Sequence, residues 1–231
     1  MNANTTSEWA PSDALMAHVE SLFLTLDLPV AGRDYVLTRL RRGPSRDVQN
    51  HRGNVLVKYT SKKTGATLLL ESRTGEYPTA VLLDHDDDVV GFLEQPPAID
   101  TAITESSGRV LTTRPYTPDF LIVRKDHLAV REARDDTRLF ERMLKNPHQF
   151  YRDDDGTWHF RAAEEEFATL GLRYELHPNS TLPSILVENA RFLEDYTAAD
   201  CPPVETSIAE QITAYVDDRR FVSMRSLLDE G

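Results

Sequence analysis

Glu76, Asp119, Glu132 and Arg134 are the residues whose types and spacing could do chemistry. Asp119 sits in YTPDFLIV, Tyr116 to Val123, where a proline and an aspartate open an apolar run. Glu132 and Arg134 lie two apart in AVREAR, Ala129 to Arg134, so on a strand both point to one face. Glu76 falls in TGEYPTAVLLD. On a helix there, Glu76, Ala80 and Leu83 line up at i, i+4 and i+7, which sets the acid on the face that meets the core. Carboxylates gathered in this way repel one another unless a cation lies between them. Mg²⁺ suits the position, because it takes a few oxygen ligands and keeps waters for a phosphate group. Such a set fits phosphodiester hydrolysis, in which metal ions orient water and stabilise developing charge. Spacing alone leaves a second reading open: Asp119 caps a turn, and Glu132 and Arg134 stand on a solvated strand face.

The elements that must position these residues follow from periodicity and turn chemistry. Residues 12–27 read as a helix with Ser12 as N-cap and Leu15, Val19, Leu22, Phe23 and Leu26 on one face. The basic, Gly-containing stretch 28–54 reads as mostly irregular. Val55–Thr60 and Ala66–Glu71 read as a hairpin turning at Lys63-Thr64-Gly65. Residues 74–84 read as a helix that tolerates Pro78 in its first turn. Strands are expected at Val89–Pro97, Arg109–Thr113, Phe120–Arg124, Leu128–Arg134 and in LRYELH after Gly171. Helices are expected before Pro147, over Arg161–Gly171, over 183–197 and over 207–217. The last carries a capping box, Ser207 with Glu210, and an apolar stripe of Ile208, Ile212, Tyr215 and Val216. A short final helix would include Met224, Leu227 and Leu228.

The chain has 231 residues and a formal net charge of −12, which argues against indiscriminate nucleic-acid binding. Yet residues 31–63 hold nine Lys or Arg and two acids, so the rest of the chain is more acidic still. The asymmetry suggests a basic surface for a polyanion, made by Arg33, Arg41, Arg42, Arg46, Arg52, Lys58, Lys62 and Lys63; a solvated loop that binds nothing is the alternative. No apolar run is long enough to cross a bilayer, and the first residues lack the features of a secretory signal. The single cysteine, Cys201, excludes an internal disulfide. A cytoplasmic protein is the expectation.

Around the acids the sequence resembles TnsA, the endonuclease subunit of heteromeric cut-and-paste transposases and a branch of the restriction-endonuclease-like PD-(D/E)xK nucleases. YTSKKTGATLLLESRTGE resembles the family's hairpin leading to the helix with its first catalytic acid, here Glu76. VVGFLEQPPAI resembles the segment with a Glu-Gln pair, here Glu94 and Gln95. YTPDFLIV is similar to the aspartate strand, and VREAR sits where the family has an acid or glutamine, any residue, then lysine. GLRYELHPNSTLPSILVENARFLEDYT resembles the later strand and helix, and the likeness covers roughly residues 50–200.

The resemblance implies an α/β restriction-endonuclease-like mixed sheet flanked by helices, with a small helical, winged-helix-like C-terminal domain. The divisions would be an N-terminal helix and basic segment (1–52), a nuclease core (53–178) and the helical domain (179–231). It implies that Glu76, Asp119 and Glu132 bind Mg²⁺ and that Gln95 supports them. The activity implied is cleavage of double-stranded DNA at the 5′ ends of a transposon. Implied partners are a TnsB-like DDE transposase and a TnsC-like AAA+ regulator. The family's lysine is Arg134 here. Arginine keeps the charge but effectively never gives up its proton. A catalytically weak assembly factor and a stand-alone defence nuclease of the same fold are therefore the alternatives.

Overall fold

The computed structural model describes residues 10–45, 56–194, 196, 201–219, 222–223 and 225–226. Helix α1 (Asp13–Thr25) begins where expected, with the Ser12 hydroxyl accepting from the Leu15 amide at 3.2 Å. It turns Leu15, Val19, Leu22 and Phe23 into the core. The stretch expected to be irregular instead forms α2 (Val30–Arg41) directly after Pro29. Its buried face is Gly32, Tyr35, Val36, Arg39 and Leu40. A glycine and an arginine at contact positions disguise that face in sequence. Gly32 is there because a Cβ would lie 1.9 Å from the carbonyl oxygen of Leu170.

Strands β1 (Val57–Thr60) and β2 (Thr67–Leu70) form the expected hairpin, with Gly65 in the left-handed region at φ +67°. Helix α3 (Glu76–His85) follows. The carboxylate of Asp84 on α3 binds the hairpin: it accepts from the Tyr59 and Ser61 hydroxyls (2.7 and 2.8 Å) and the Lys62 and Lys63 amides.

Six strands make the main sheet: β3 (Val89–Glu94), β6 (Phe120–Arg124), β7 (Leu128–Arg134), β10 (Arg173–Pro178), β9 (Trp158–Phe160) and β8 (Phe150–Arg152), in that spatial order. β10 runs parallel to β7, and the other pairs are antiparallel. Phe120 to Val123 are all buried, as a strand covered on both faces requires. Helices α1, α2, α3 and α5 (Arg161–Thr169) pack their apolar faces into the same core. This is a mixed α/β architecture, a mixed sheet flanked by helices.

Between β3 and β6 the chain makes a separate ribbon, β4 (Ile99–Thr104) with β5 (Val110–Tyr116). β4, β8 and β9 have no strong sequence signature: they are short or flanked by polar residues. β4 packs on α5, and β5 is exposed along most of its length. Buried Gln149 ties the ribbon down. Its amide donates to Thr104 (2.6 Å to Oγ1), and its oxygen accepts from the Ala162 amide. At the other end, Tyr116 and Tyr174 share a 2.7 Å hydroxyl hydrogen bond. Helix α4 (Asp136–Lys145), capped by Asp135, follows β7.

The chain divides into two units, Met1–Arg191 and Phe192–Gly231. Helix α6 (Ser184–Leu193) spans that boundary in sequence. In the second unit, α7 (Thr206–Asp217) starts one residue earlier than expected, with Glu205 as N-cap and no side-chain cap bond. Ser207 is therefore inside the helix, and the expected capping box does not form. Ile208, Ile212 and Val216 on α7 are exposed. Met224, Leu227 and Leu228 lie outside the described residues. No described helix is long and apolar enough to cross a membrane.

Candidate functional site

Register brings two of the key acids, Asp119 and Glu132, onto neighbouring stretches of chain. Glu94 pairs with Phe120, and Phe120 with Arg131. One residue beyond the ends of β3 and β6, Gln95 and Asp119 stand in a row with Glu132 of β7. Two contacts fix it: the Gln95 amide donates to the Asp119 carbonyl at 2.7 Å, and the Ala133 amide donates to Asp119 Oδ2 at 2.8 Å. Asp119 is half-buried, and Glu132 is 3% exposed. Glu132 forms an ion pair with Arg134 through one oxygen. Its other oxygen, Oε2, is buried and has no hydrogen-bond partner among the described residues. A buried carboxylate oxygen left in this state is costly, and a hydrogen-bond donor or a cation would satisfy it.

Gln95 is unusual in two ways. It holds φ +45°, which a non-glycine residue seldom adopts, and its buried side-chain oxygen and nitrogen both lack partners among the described residues. Strain and unmet polar groups of this kind cluster at working sites. Its neighbour Glu94 faces another task, pairing with the buried Arg39 of α2 (Nη2 to Oε2, 3.0 Å).

Glu76 opens α3. Its Oε2 accepts from the Glu71 amide at 2.8 Å. The preceding residue, Gly75, lies against the side chain of Asn179, which follows Pro178, the register partner of Arg134. Glu76 therefore enters at the end of the sheet where β7 finishes. Among the described residues, no three His, Cys, Asp or Glu side chains stand as a group that could hold a metal ion. Glu76, Asp119 and Glu132 do not form a finished three-carboxylate centre as they stand. The donor chemistry still fits a hard cation: Asp119 and Glu132 carry carboxylate oxygens, and Glu132 Oε2 has no hydrogen-bond partner among the described residues.

Beside this row opens a cleft of about 480 Å³, lined by Thr101, Ile103, Arg114, Pro115, Tyr116, Arg134, Arg142, Lys145, Asn146, Phe150 and Phe160. Four of these are cations and none is an acid. The Arg142 guanidinium lies 5.2 Å from the centre of the Phe150 ring. Burial, then the charges of Arg134 and Arg114, hold Arg142 below the usual arginine range. Burial also pushes the Tyr116 and Tyr174 phenols up; the Asp119 charge adds to this and Arg134 opposes it. Both hydroxyls therefore stay protonated and can donate.

The cations of the basic stretch are dispersed. Arg41, Arg42 and Lys58 are exposed. Arg33 donates to the Leu28 carbonyl. Lys63 spends its ammonium on the carbonyls of Asp86 (2.7 Å) and Val89 (2.5 Å). Arg46 and Arg52 lie outside the described residues, and Lys62 contributes its amide to Asp84. Glu164 is committed to His159 at 2.7 Å. Sequence reasoning missed Arg114, Arg142 and Lys145. One signal was present: Arg138, Arg142 and Lys145 recur at i, i+4 and i+7.

No family model matches the chain, and no curated protein matches it.

Proposed function

We propose that this chain is a Mg²⁺-dependent DNA endonuclease subunit of TnsA type, with a restriction-endonuclease-like fold. It hydrolyses phosphodiesters at the 5′ ends of a transposon, beside a TnsB-like DDE transposase and a TnsC-like AAA+ regulator, in the cytoplasm. The observation that carries the reading is the row of Gln95, Asp119 and Glu132, in which a buried carboxylate oxygen lacks a hydrogen-bond partner among the described residues, next to a cleft lined by four cations and no acid. Asp119 and Glu132 would hold the metal, with Glu76 as the third donor. Bound there, Mg²⁺ supplies a Lewis acid and an acidified water. Arg134 meets charge on the phosphate through its guanidinium and cannot serve as the base, because it stays protonated. Gln95 orients the row through its backbone bond to Asp119.

The test is metal-dependent nicking of a transposon-end duplex with the matching transposase present. Glu132→Gln and Asp119→Asn keep size and remove charge. Losing a metal ligand worth about 3 kcal/mol of transition-state stabilisation slows cutting roughly 100-fold. Undiminished cutting by both variants sinks the proposal.

One observation favours a second reading, a nuclease-fold assembly factor with little activity: Arg134 already neutralises Glu132. Arg134→Lys separates the two. A large gain in cutting marks a degraded site, and a loss marks an adapted one.

A further inference from the structure

Several arginines of the first unit are answered by carboxylates. Arg39 meets Glu94, Arg124 meets Asp86 and Asp88, Arg131 meets Glu175, and Arg109 meets Glu105. The cleft beside Asp119 and Glu132 differs in kind, because it gathers four cations and no acid in one lining. Of its four cations only Arg134 has a carboxylate partner among the described residues. Arg114 comes from the outer strand of the ribbon, and Arg142 and Lys145 come from α4, so both walls present positive charge. Crowding them is unfavourable until an anion arrives, and burial adds to that cost for Arg142. Phe150 holds the Arg142 guanidinium in place, so the charge is aimed before any ligand binds. On a chain of net charge −12, a polyanion can be gripped only where positive charge is concentrated in this way.

We propose that this cleft, between the β4–β5 ribbon and α4, holds the sugar-phosphate backbone of the DNA strand that runs into the cut. Arg114, Arg142 and Lys145 are its phosphate contacts. The inference rests on the nuclease reading and relocates the main DNA grip away from residues 31–63. These three contacts position the duplex and carry no sequence information.

The experiment measures binding of a fluorescently labelled transposon-end duplex to the full chain without divalent metal, across a salt series. Each phosphate contact contributes about 0.9 to the slope of log affinity against log salt. The triple variant Arg114→Gln/Arg142→Gln/Lys145→Gln is expected to flatten that slope by roughly 2.7 and to bind at least tenfold more weakly at low salt. The double variant Arg114→Gln/Lys145→Gln, which keeps Arg142 on Phe150, is expected to lose about two-thirds of that slope. Arg41→Gln/Arg42→Gln is expected to change the slope less than either. Wild-type slope and affinity in the cleft variants overturn the inference, as does a wild-type chain that binds no duplex at about 50 mM salt. Nicking assays on the same proteins separate the two ideas. Cutting that persists with an unchanged KM in the triple variant removes the cleft and leaves the nuclease. Cleft-dependent binding without any metal-dependent cutting removes the nuclease and leaves the cleft.

Discussion

Arg39→Met is the perturbation with the largest consequence read directly from contacts. Arg39 is 3% exposed and Glu94 is 4% exposed. The guanidinium donates from Nε to the Glu94 carbonyl (2.6 Å), from Nη2 to the Glu94 carboxylate (3.0 Å) and from Nη1 to the Arg42 carbonyl (3.3 Å). Methionine fills similar space and removes all three bonds. Breaking one side of a buried ion pair costs about 3–5 kcal/mol, because the remaining charge is stranded. For a unit of this size that is a fall in melting temperature of roughly 6–20 °C. The pH dependence has a definite sign. Burial raises the Glu94 carboxyl above its ordinary value, and Arg39 opposes the rise. A group whose folded pKa lies above its unfolded value stabilises the fold when protonated, and that contribution is lost as pH climbs through the folded value. Without Arg39 the folded value rises further, so the variant's deficit is expected to be small near pH 5 and to widen toward pH 8. The assay is thermal melting at several pH values, in a double-mutant cycle with Glu94→Leu. The pair Arg39→Met/Glu94→Leu is expected to recover most of the loss, since an apolar pair can replace a buried ionic one. A deficit under about 1 kcal/mol for Arg39→Met, or strict additivity in the cycle, refutes the reasoning.

Gly32→Ala sets a methyl group 1.9 Å from a backbone carbonyl, so α2 must move off the end of α5. Thermal melting is expected to show a loss of about 3 kcal/mol or more, whereas Gly43→Ala, with open space around it, is expected to be near neutral. Gln95→Gly relieves about 1–2 kcal/mol of left-handed strain and removes an unsatisfied amide worth about 1–3 kcal/mol. Against this stand about 1 kcal/mol of backbone entropy and about 1.6 kcal/mol of buried methylene. Melting is expected to be unchanged or a few degrees higher, and nicking is expected to stay near wild type because glycine keeps the backbone bond to Asp119; a drop beyond about 4 °C shows that the side-chain amide has a structural role.

The parts legible in sequence are those where burial and residue type agree. The apolar stripe of α1 and the runs Phe120–Val123 and Leu128–Val130 announced their elements, and residue type marked Asp119 and Glu132 as candidate site acids on two of them. The structure supplies the register that sets those two side by side. Legibility failed where tertiary context overrides type. Arg39 adds to the charge count of the basic stretch and Lys63 to its expected surface, yet one is buried in an ion pair and the other binds two carbonyls. Helix α2 hides because its contact face is built from a glycine, an arginine and a tyrosine as well as aliphatics. The cleft could be read only in part, from the helical spacing of Arg142 and Lys145. Arg114, Arg134 and Arg142 lie on three elements, and only the fold gathers their charges.

Gln149 connects distant stretches through one amide: its nitrogen serves Thr104 on the ribbon and its oxygen serves Ala162 at the start of α5. With the Tyr116–Tyr174 bond at the opposite end, the ribbon is pinned twice. A wall fastened in this way loses little conformational freedom when a guest arrives, so the entropy of shaping the channel is settled during folding. Amide hydrogen exchange at Ala162 and along β4 would then run at the slow rate of the main sheet, although the outer strand lies open to water.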